Sequence, residues 1–434
     1  MKIPRNKWSL AFAVGMIVLS LIAIRQFAQP DSSNQPAKHY PDEPVPTYPA
    51  VSDLAPNAVD LNNPKTFSSL TYGIHTFFWW DQTYRLFGLD QINIMQFSHI
   101  KQSFAWADIE PERRDVPTDD PTRYVWSQVD GMMADIESKG VRVIARLDHP
   151  PAWSVKPDAG YNEPPFDVTR FAEFCGALAQ RYKGRIDAYQ VWNEPNLTRE
   201  WAGHVPSPTG YVKLLAACST AIRAADPDAI IISAGLSPTA TRDMTAMPHM
   251  EFLWKMYEAG ASPYFDVLGV HAPGWKFAPE VGPDVPLAEN YYEWQRFRHV
   301  EDMRAIMVAN GDATKQIAIT ETGWTIDQRE GSIYSHFGVT PEEQGDYLRR
   351  AYAYAAENWR PWLGLMTTIY YPNVAWTSEN EEYYWAIGTV APMPYGMDGR
   401  PAWPALVQME KISTNPDYAH PARDESLNPI DGDN

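Results

Sequence analysis

Cysteine is nearly missing from this chain: only Cys175 and Cys218 occur. Two lone cysteines match no metal-ligand spacing, so a cysteine-based metal centre is excluded. Both fall in stretches of helical character, "FAEFCGALAQRY" and "LLAACSTAIRAA". Two readings stay open for them: a pair of buried apolar thiols, or one disulfide between neighbouring helices in an oxidising compartment. Positive charge is also scarce. Lys and Arg number 36 against 54 Asp and Glu, for a formal net charge of −18. Such a surface repels phosphate backbones and excludes nucleic acid as a partner. No glycine-rich phosphate loop follows the first strand candidate, which counts against a doubly wound nucleotide-binding sheet. No short-period repeat is present, so a solenoid is not expected.

What the chain does have is length, apolar content and rings. Its 434 residues are 44% hydrophobic and include 17 Trp and 23 Tyr. That is ample for one large core, with aromatic faces left over. The N-terminus carries Lys2, Arg5 and Lys7, followed by an uncharged run from Trp8 to Ile24. The run is at the short end for a membrane span and long for a cleaved signal, and the flank after it is a poor cleavage site. The expectation is a signal anchor over 1–28, with the charges inside and the bulk of the protein outside. Secretion after cleavage is the alternative. Residues 29–66 are rich in Pro, Asp, Asn and Ser, and are expected to form a disordered linker. The last stretch, 414–434, is expected to be a loose acidic tail.

Between these, over 67–413, short β-rich runs alternate with longer stretches of helical period. The strand candidates are "LTYGIHTF", "HIKQSFAW", "VRVIARLD", "IDAYQVWN", "AIIISAGL", "FDVLGVHA", "IAITETGW" and "LMTTIYYP". Helix candidates lie between them, among them "WSQVDGMMADIESKG" and "TPEEQGDYLRRAYAYAAENW", the latter with Thr340 as N-cap, Pro341 in the first turn and Glu343 reaching back. The expected fold is α/β, a (β/α)8 TIM barrel, preceded by the anchor helix and the Pro-rich linker.

In such a barrel, chemistry sits at the C-terminal ends of the strands. "YQVWNEPNL" puts Asn193 and Glu194 at the end of strand four, and "IAITETGWT" puts Glu321 at the end of strand seven. Two carboxyls facing each other across one mouth are what cleavage of a glycosidic bond needs. One protonates the leaving oxygen; the other, ionised, attacks or stabilises the sugar cation. The aromatic excess fits, because flat rings with a polar edge suit sugar faces, although most of the rings are expected to be core.

"VWNEPN" and "TETGW" resemble the two catalytic motifs of the clan A retaining glycoside hydrolases. "FAWADIEPE" looks like the strand-two motif of that clan, and "ARLDHPPAWS" like strand three of its family 39 and family 5-like members. "AIGTVAPMPYGMDGRPAWPAL" resembles their closing segment. The likeness spans most of residues 70–412. It implies Glu194 as general acid/base, Glu321 as nucleophile and Asn193 as the partner of the sugar 2-hydroxyl. It implies that His271 contacts the nucleophile and helps to hold it ionised. Lys101 stands where members often carry an arginine, a point charge in place of a planar fork. Trp385 falls where the clan often has a floor tryptophan. Trp106, Trp275 and Trp324 are further candidate sugar contacts, as are His75 and His149 near strand ends, each with a core or internally bonded role as the alternative. Neither metal nor cofactor is implied. The expected partners are a carbohydrate and, through the N-terminal helix, a membrane; no protein partner is predicted.

Other acidic groups are set aside. Asp108 and Glu110 precede Arg113 and Arg114 and are read as a solvated charge cluster. "YNEPPF" repeats the Asn-Glu-Pro letters at 162–164 but follows no strand, so it is read as turn chemistry. "NLT" at 196–198 has the form of a glycosylation triplet but lies beside the expected site. Two functional alternatives remain beside hydrolysis: an inactive carbohydrate-binding barrel, and a transglycosylase. The sugar and the choice of endo or exo action stay open.

Overall fold

A computed structural model describes residues 46–411 apart from 50, 52, 114, 121, 158, 290, 392 and 393. The expected anchor (1–28) and acidic tail (414–434) lie outside the described residues. Among the described residues, no helix is long and apolar enough to cross a membrane.

Every strand candidate becomes a strand. β1 (Thr71–Thr76), β2 (His99–Ser103), β3 (Arg142–Leu147), β4 (Ala188–Val191), β5 (Ile230–Ile232), β6 (Val267–His271), β7 (Gln316–Thr322) and β8 (Leu363–Thr368) form a closed parallel barrel in sequence order. Closure is made by β1 against β8, with Gly73 opposite Thr367. Around it lie α1 (Gln82–Ile94), α2 (Ser127–Ser138), α3 (Val168–Arg181), α4 (Pro208–Ala225), α5 (His249–Glu258), α6 (His299–Ala309), α7 (Pro341–Asn358) and α8 (Ala402–Gln408). Local signals set several of their starts. Asp81 accepts from the Tyr84 N–H, Ser207 from Gly210 ahead of Pro208, and Thr340 with Glu343 makes the expected capping box.

The barrel interior is filled by Ile144, Ala188, Ile230, Ile232, Val267, Ala318 and Leu365, and Phe67 joins them from just before β1. Phe67 is tied there by Gln316, whose side chain accepts from its N–H at 2.8 Å and donates to its carbonyl at 3.0 Å. The linker expectation therefore ends early. Tyr48 packs edge-on to Trp254, Arg304 donates to the Leu54 carbonyl, and Val59 belongs to the core. Proline-rich composition disfavours a core of its own, but this segment borrows the barrel's.

The two cysteines are joined. Cys175 on α3 and Cys218 on α4 form a disulfide with Cα atoms 5.5 Å apart, closing a loop of sequence separation 43. Replacing both with alanine is expected to lower the unfolding free energy by about 2–4 kcal/mol, chiefly by freeing the unfolded chain. Urea denaturation measures it; an unchanged midpoint would show that the cross-link contributes nothing.

Candidate active site

β4 ends at Val191, and the next three residues turn sharply into the mouth. Trp192 (φ 73) and Glu194 (φ 39) both adopt left-handed backbone, which costs a non-glycine residue energy. Packing holds the turn. Trp192 is fully buried and donates from Nε1 to the Glu200 carbonyl, while the Glu194 N–H donates to the Gly235 carbonyl. Gly235 is itself required: a Cβ there would lie 2.2 Å from the His271 ring and 2.5 Å from the Thr320 hydroxyl. After Pro195, the Asn196 side chain bonds Ser237 and Met247 and is fully buried. That burial takes the glycosylation triplet out of reach of modification.

β7 carries Glu321 in register with His271 of β6. The strand-end carboxyls meet at that histidine. His271 Nδ1 lies 2.9 Å from Glu194 Oε1 and 3.6 Å from Glu321 Oε2. One ligand atom from each of Glu194, His271 and Glu321 falls within 4.8 Å of the others. His271 thus touches Glu194 more closely than Glu321, which reverses the emphasis expected from sequence. The second carboxyl has its own cation: Lys101 Nζ, fully buried, donates to Glu321 Oε1 at 2.8 Å and to the Thr320 carbonyl at 3.2 Å. His75 Nδ1 is 3.5 Å from the same oxygen.

These contacts set the charge states. Burial alone would push both glutamates up. For Glu194 the Arg199 cation and the His271 hydrogen bond outweigh it and hold the carboxyl below its ordinary range. For Glu321 the opposing groups are His271, Lys101 and His75, and its carboxyl is held well below that range. Burial first, then Lys101, pushes His75 down to about 3, so it is a neutral ring at physiological pH. Burial lowers Lys101, against the pull of Glu321. The triad could in form hold a divalent cation. Each carboxylate already carries a bonded cation, however, Lys101 on one and Arg199 on the other, and like charge disfavours a third.

Around this centre several polar atoms are buried with no hydrogen-bond partner among the described residues. They include Asn193 Oδ1, His271 Nε2, Trp275 Nε1 and Arg199 Nε. Buried polar groups without partners are costly unless a ligand or water completes them. Half-buried Trp275 (φ 51) meets Phe337 at 4.5 Å and Trp385 at 6.3 Å between ring centroids. Trp385 is only 5% exposed and sits behind that group with its edge to Tyr334, so it supports the wall. His75, Phe77, Tyr370 and Trp376 form a second aromatic group, with Tyr370 two residues after the end of β8.

Other candidates lie elsewhere. Trp106 is fully buried, stacked on Phe174, with its indole N–H donated to Glu110. Trp324 is fully buried and donates to the Phe277 carbonyl. Neither has a face for a sugar, because α3 and Phe297 respectively cover them. His149 has both ring nitrogens engaged, with Asp148 at 2.5 Å and the Tyr161 hydroxyl at 2.5 Å, so it is a bonded wall residue. Glu110 is not solvated: it is fully buried and paired with Arg123 at 2.8 Å. The "YNEPPF" turn also does more than turn. Asn162, at φ 54, accepts from the His149 N–H and donates to Glu200, which bolsters the loop carrying Arg199.

Sequence reasoning missed Arg199, Tyr334, Tyr370 and Glu381, which surround Glu194. Burial first, then Glu382, raises the Glu381 carboxyl to about 7. Arg199 lies in the short helix Thr198–Glu200 and the other three on irregular segments, where no period marks them. The one available signal was Arg199 standing five residues after Glu194, next to the strand end.

Residues 55–257 match the family model for cellulase, glycosyl hydrolase family 5. That span holds Asn193 and Glu194 and ends before Glu321. No curated protein matches the chain. Among solved structures, a family 39 glycoside hydrolase from the gut symbiont Bacteroides cellulosilyticus WH2 is 16% identical with a TM-score of 0.53, over 80% of this chain and 64% of that one. A monomeric β-xylosidase from Caulobacter crescentus CB15 is 16% identical with a TM-score of 0.53, over 78% and 67%. A family 39 enzyme from Xanthomonas axonopodis pv. citri is 14% identical with a TM-score of 0.53, over 79% and 66%. The chain thus spans less than two thirds of the first of these, and at such identity the likeness is one of fold. Together the model match over 55–257 and the shared (β/α)8 barrel show the resemblance to the clan A glycoside hydrolases that the strand-end motifs carry.

Proposed function

We propose that this protein is a retaining glycoside hydrolase that cleaves β-glycosidic bonds by double displacement. The observation that carries the reading is the meeting of Glu194 and Glu321 at His271, whose Nδ1 lies 2.9 Å from Glu194 Oε1 and 3.6 Å from Glu321 Oε2. Retention needs carboxyls about 5 Å apart, whereas inversion needs room for a water between them, about 6.5 Å or more. Glu321, held ionised by Lys101 and His271, attacks the anomeric carbon. Glu194 gives its proton to the leaving oxygen, and the resulting carboxylate then takes a proton from the water that releases the sugar from Glu321. Asn193, with its orphan side-chain oxygen, meets the 2-hydroxyl, and Trp275 with Tyr370 and Trp376 offers ring faces.

The test is stereochemical. A panel of 4-nitrophenyl β-glycosides, beginning with the xyloside and extending to glucoside, mannoside and arabinoside, identifies a substrate. Proton NMR of the first product is then expected to show the β-anomer before mutarotation. First appearance of the α-anomer would rule out double displacement. Adding an acceptor sugar separates hydrolysis from transglycosylation. An inactive barrel would bind without turnover, and the meeting of both strand-end carboxyls at His271 speaks against it.

Lys101→Met is expected to raise the acidic limb of kcat/KM by ~1–3 pH units. The sign follows from the role: Glu321 acts ionised, Lys101 depresses its pKa against burial, and removing the cation lets it protonate at higher pH. A pH series on the best aryl glycoside measures it, and an unmoved acidic limb would mean that Lys101 does not hold the nucleophile.

The proposed setting is outside the cytoplasm, tethered by residues 1–28 or released after cleavage. The Cys175–Cys218 cross-link supports it, since disulfides persist chiefly in oxidising compartments.

A further inference from the structure

Glu194 is not free in the mouth. Arg199, one turn further on in the short helix Thr198–Glu200, places Nη2 2.6 Å from Glu194 Oε2. The carboxylate is therefore held at both oxygens, by Arg199 on one and His271 on the other. A general acid must carry a proton when substrate is bound, and a carboxyl oxygen bonded to a guanidinium cannot take that proton without breaking the ion pair. The Arg199 side chain is 36% exposed, against 2% for His271, so it lies on the open side of Glu194. Its Nε is buried with no partner among the described residues. Lys101 holds the nucleophile from within a strand of the barrel; Arg199 holds its carboxyl from the short helix after β4, with only its side chain reaching the open side.

We propose that Arg199 is a positioning residue that governs when Glu194 is protonated: its guanidinium binds the carboxylate in the free protein and releases it when sugar fills the leaving-group side. The inference rests on the reading of Glu194 as acid/base. In this step one proton from solvent goes onto Glu194 Oε2, the Arg199–Glu194 ion pair breaks, and the guanidinium stays cationic. The same proton then passes to the leaving oxygen, and the regenerated carboxylate can pair with Arg199 again. The other groups facing Glu194 are His271 from β6, Glu321 from β7, Glu200 from its own loop, Tyr334 from the loop after β7, and Tyr370 and Glu381 from the segment after β8. Arg199 is the exposed cation among them.

The experiment reads Glu194 directly. Carboxyl-13C glutamate is incorporated, the Glu194 resonance is identified by its loss in Glu194→Gln, and its titration is followed without substrate. Arg199→Met is expected to raise the midpoint by ~1–2 pH units, and Arg199→Lys to restore part of the wild-type value. The Lys variant keeps a cation and carries the test should the Met variant fold poorly. In parallel, the basic limb of kcat/KM on the phenyl glycoside is expected to move up with the midpoint. On the 2,4-dinitrophenyl glycoside, whose leaving group needs no proton, no such shift is expected. Coincident Glu194 titrations in wild type and Arg199→Met would overturn the inference. A shifted midpoint with an unmoved basic limb would instead sink the assignment of Glu194 as the acid, which keeps the two failures apart.

Discussion

Glu321→Gln is expected to lower kcat/KM on an aryl β-glycoside by on the order of 10⁴-fold or more, the scale seen when a covalent nucleophile is removed. Glutamine keeps the shape of the side chain but has no charge with which to form the glycosyl ester. It also leaves Lys101 buried with only neutral acceptors. Breaking a buried ion pair from one side costs up to about 3–5 kcal/mol. The amide oxygen can still accept from Lys101, so a smaller loss is expected here. Two measurements separate chemistry from folding. Thermal unfolding shows whether the barrel is intact. Incubation with a 2-deoxy-2-fluoro glycosyl fluoride is expected to add one sugar mass to the wild-type peptide holding Glu321 and nothing to the variant. Near-native turnover by a folded Glu321→Gln protein would remove this residue from the reaction.

Glu194→Ala should fail differently. General acid catalysis contributes roughly 10²–10⁴-fold, and it matters most when the leaving group is poor. The phenyl glycoside is therefore expected to lose about that factor in kcat/KM, while the 2,4-dinitrophenyl glycoside forms its intermediate almost normally and then waits for a base. Azide needs no base, so it is expected to restore turnover of the dinitrophenyl substrate and to give the β-glycosyl azide. The pairing of Arg199 and His271 with Glu194 makes this variant informative about stability too, because it leaves Arg199 without its anion. Equal losses on both substrates, with no azide rescue, would show that Glu194 is not the proton donor.

The barrel was readable because its signals are local. Strand candidates such as "VRVIARLD" and "IAITETGW" became β3 and β7, and Thr340 and Glu343 closed the capping box. The two glutamates were readable for a related reason: once the strands are placed, a strand-end residue in a parallel barrel has only one mouth to face. The burial of Trp106 and Trp324 was not readable. Whether an indole near a strand end is a sugar platform or part of the core depends on which neighbour covers it, and Phe174 and Phe297 lie far away along the chain. The packing of the linker's last stretch, from Tyr48 on, was not readable for a similar reason. Pro-rich composition reports that a segment cannot make its own core, not that it cannot lie on another, as residues around Tyr48 and Val59 do.

What the chain determined unaided was the (β/α)8 order, several helix starts and the placing of the two carboxyls at strand ends, because period, caps and turn residues act over a few positions. Tertiary structure alone decided which cation serves which carboxyl. Lys101 reaches Glu321 across a sequence separation of 220, and His271 reaches Glu194 across 77. It also joined Cys175 to Cys218, and it brought Arg199 onto the oxygen from which Glu194 would donate its proton. Such contacts exist only after barrel closure has met the loop entropy and burial has stripped away water. The charge state of the site is therefore a property of the fold and not of any motif within it.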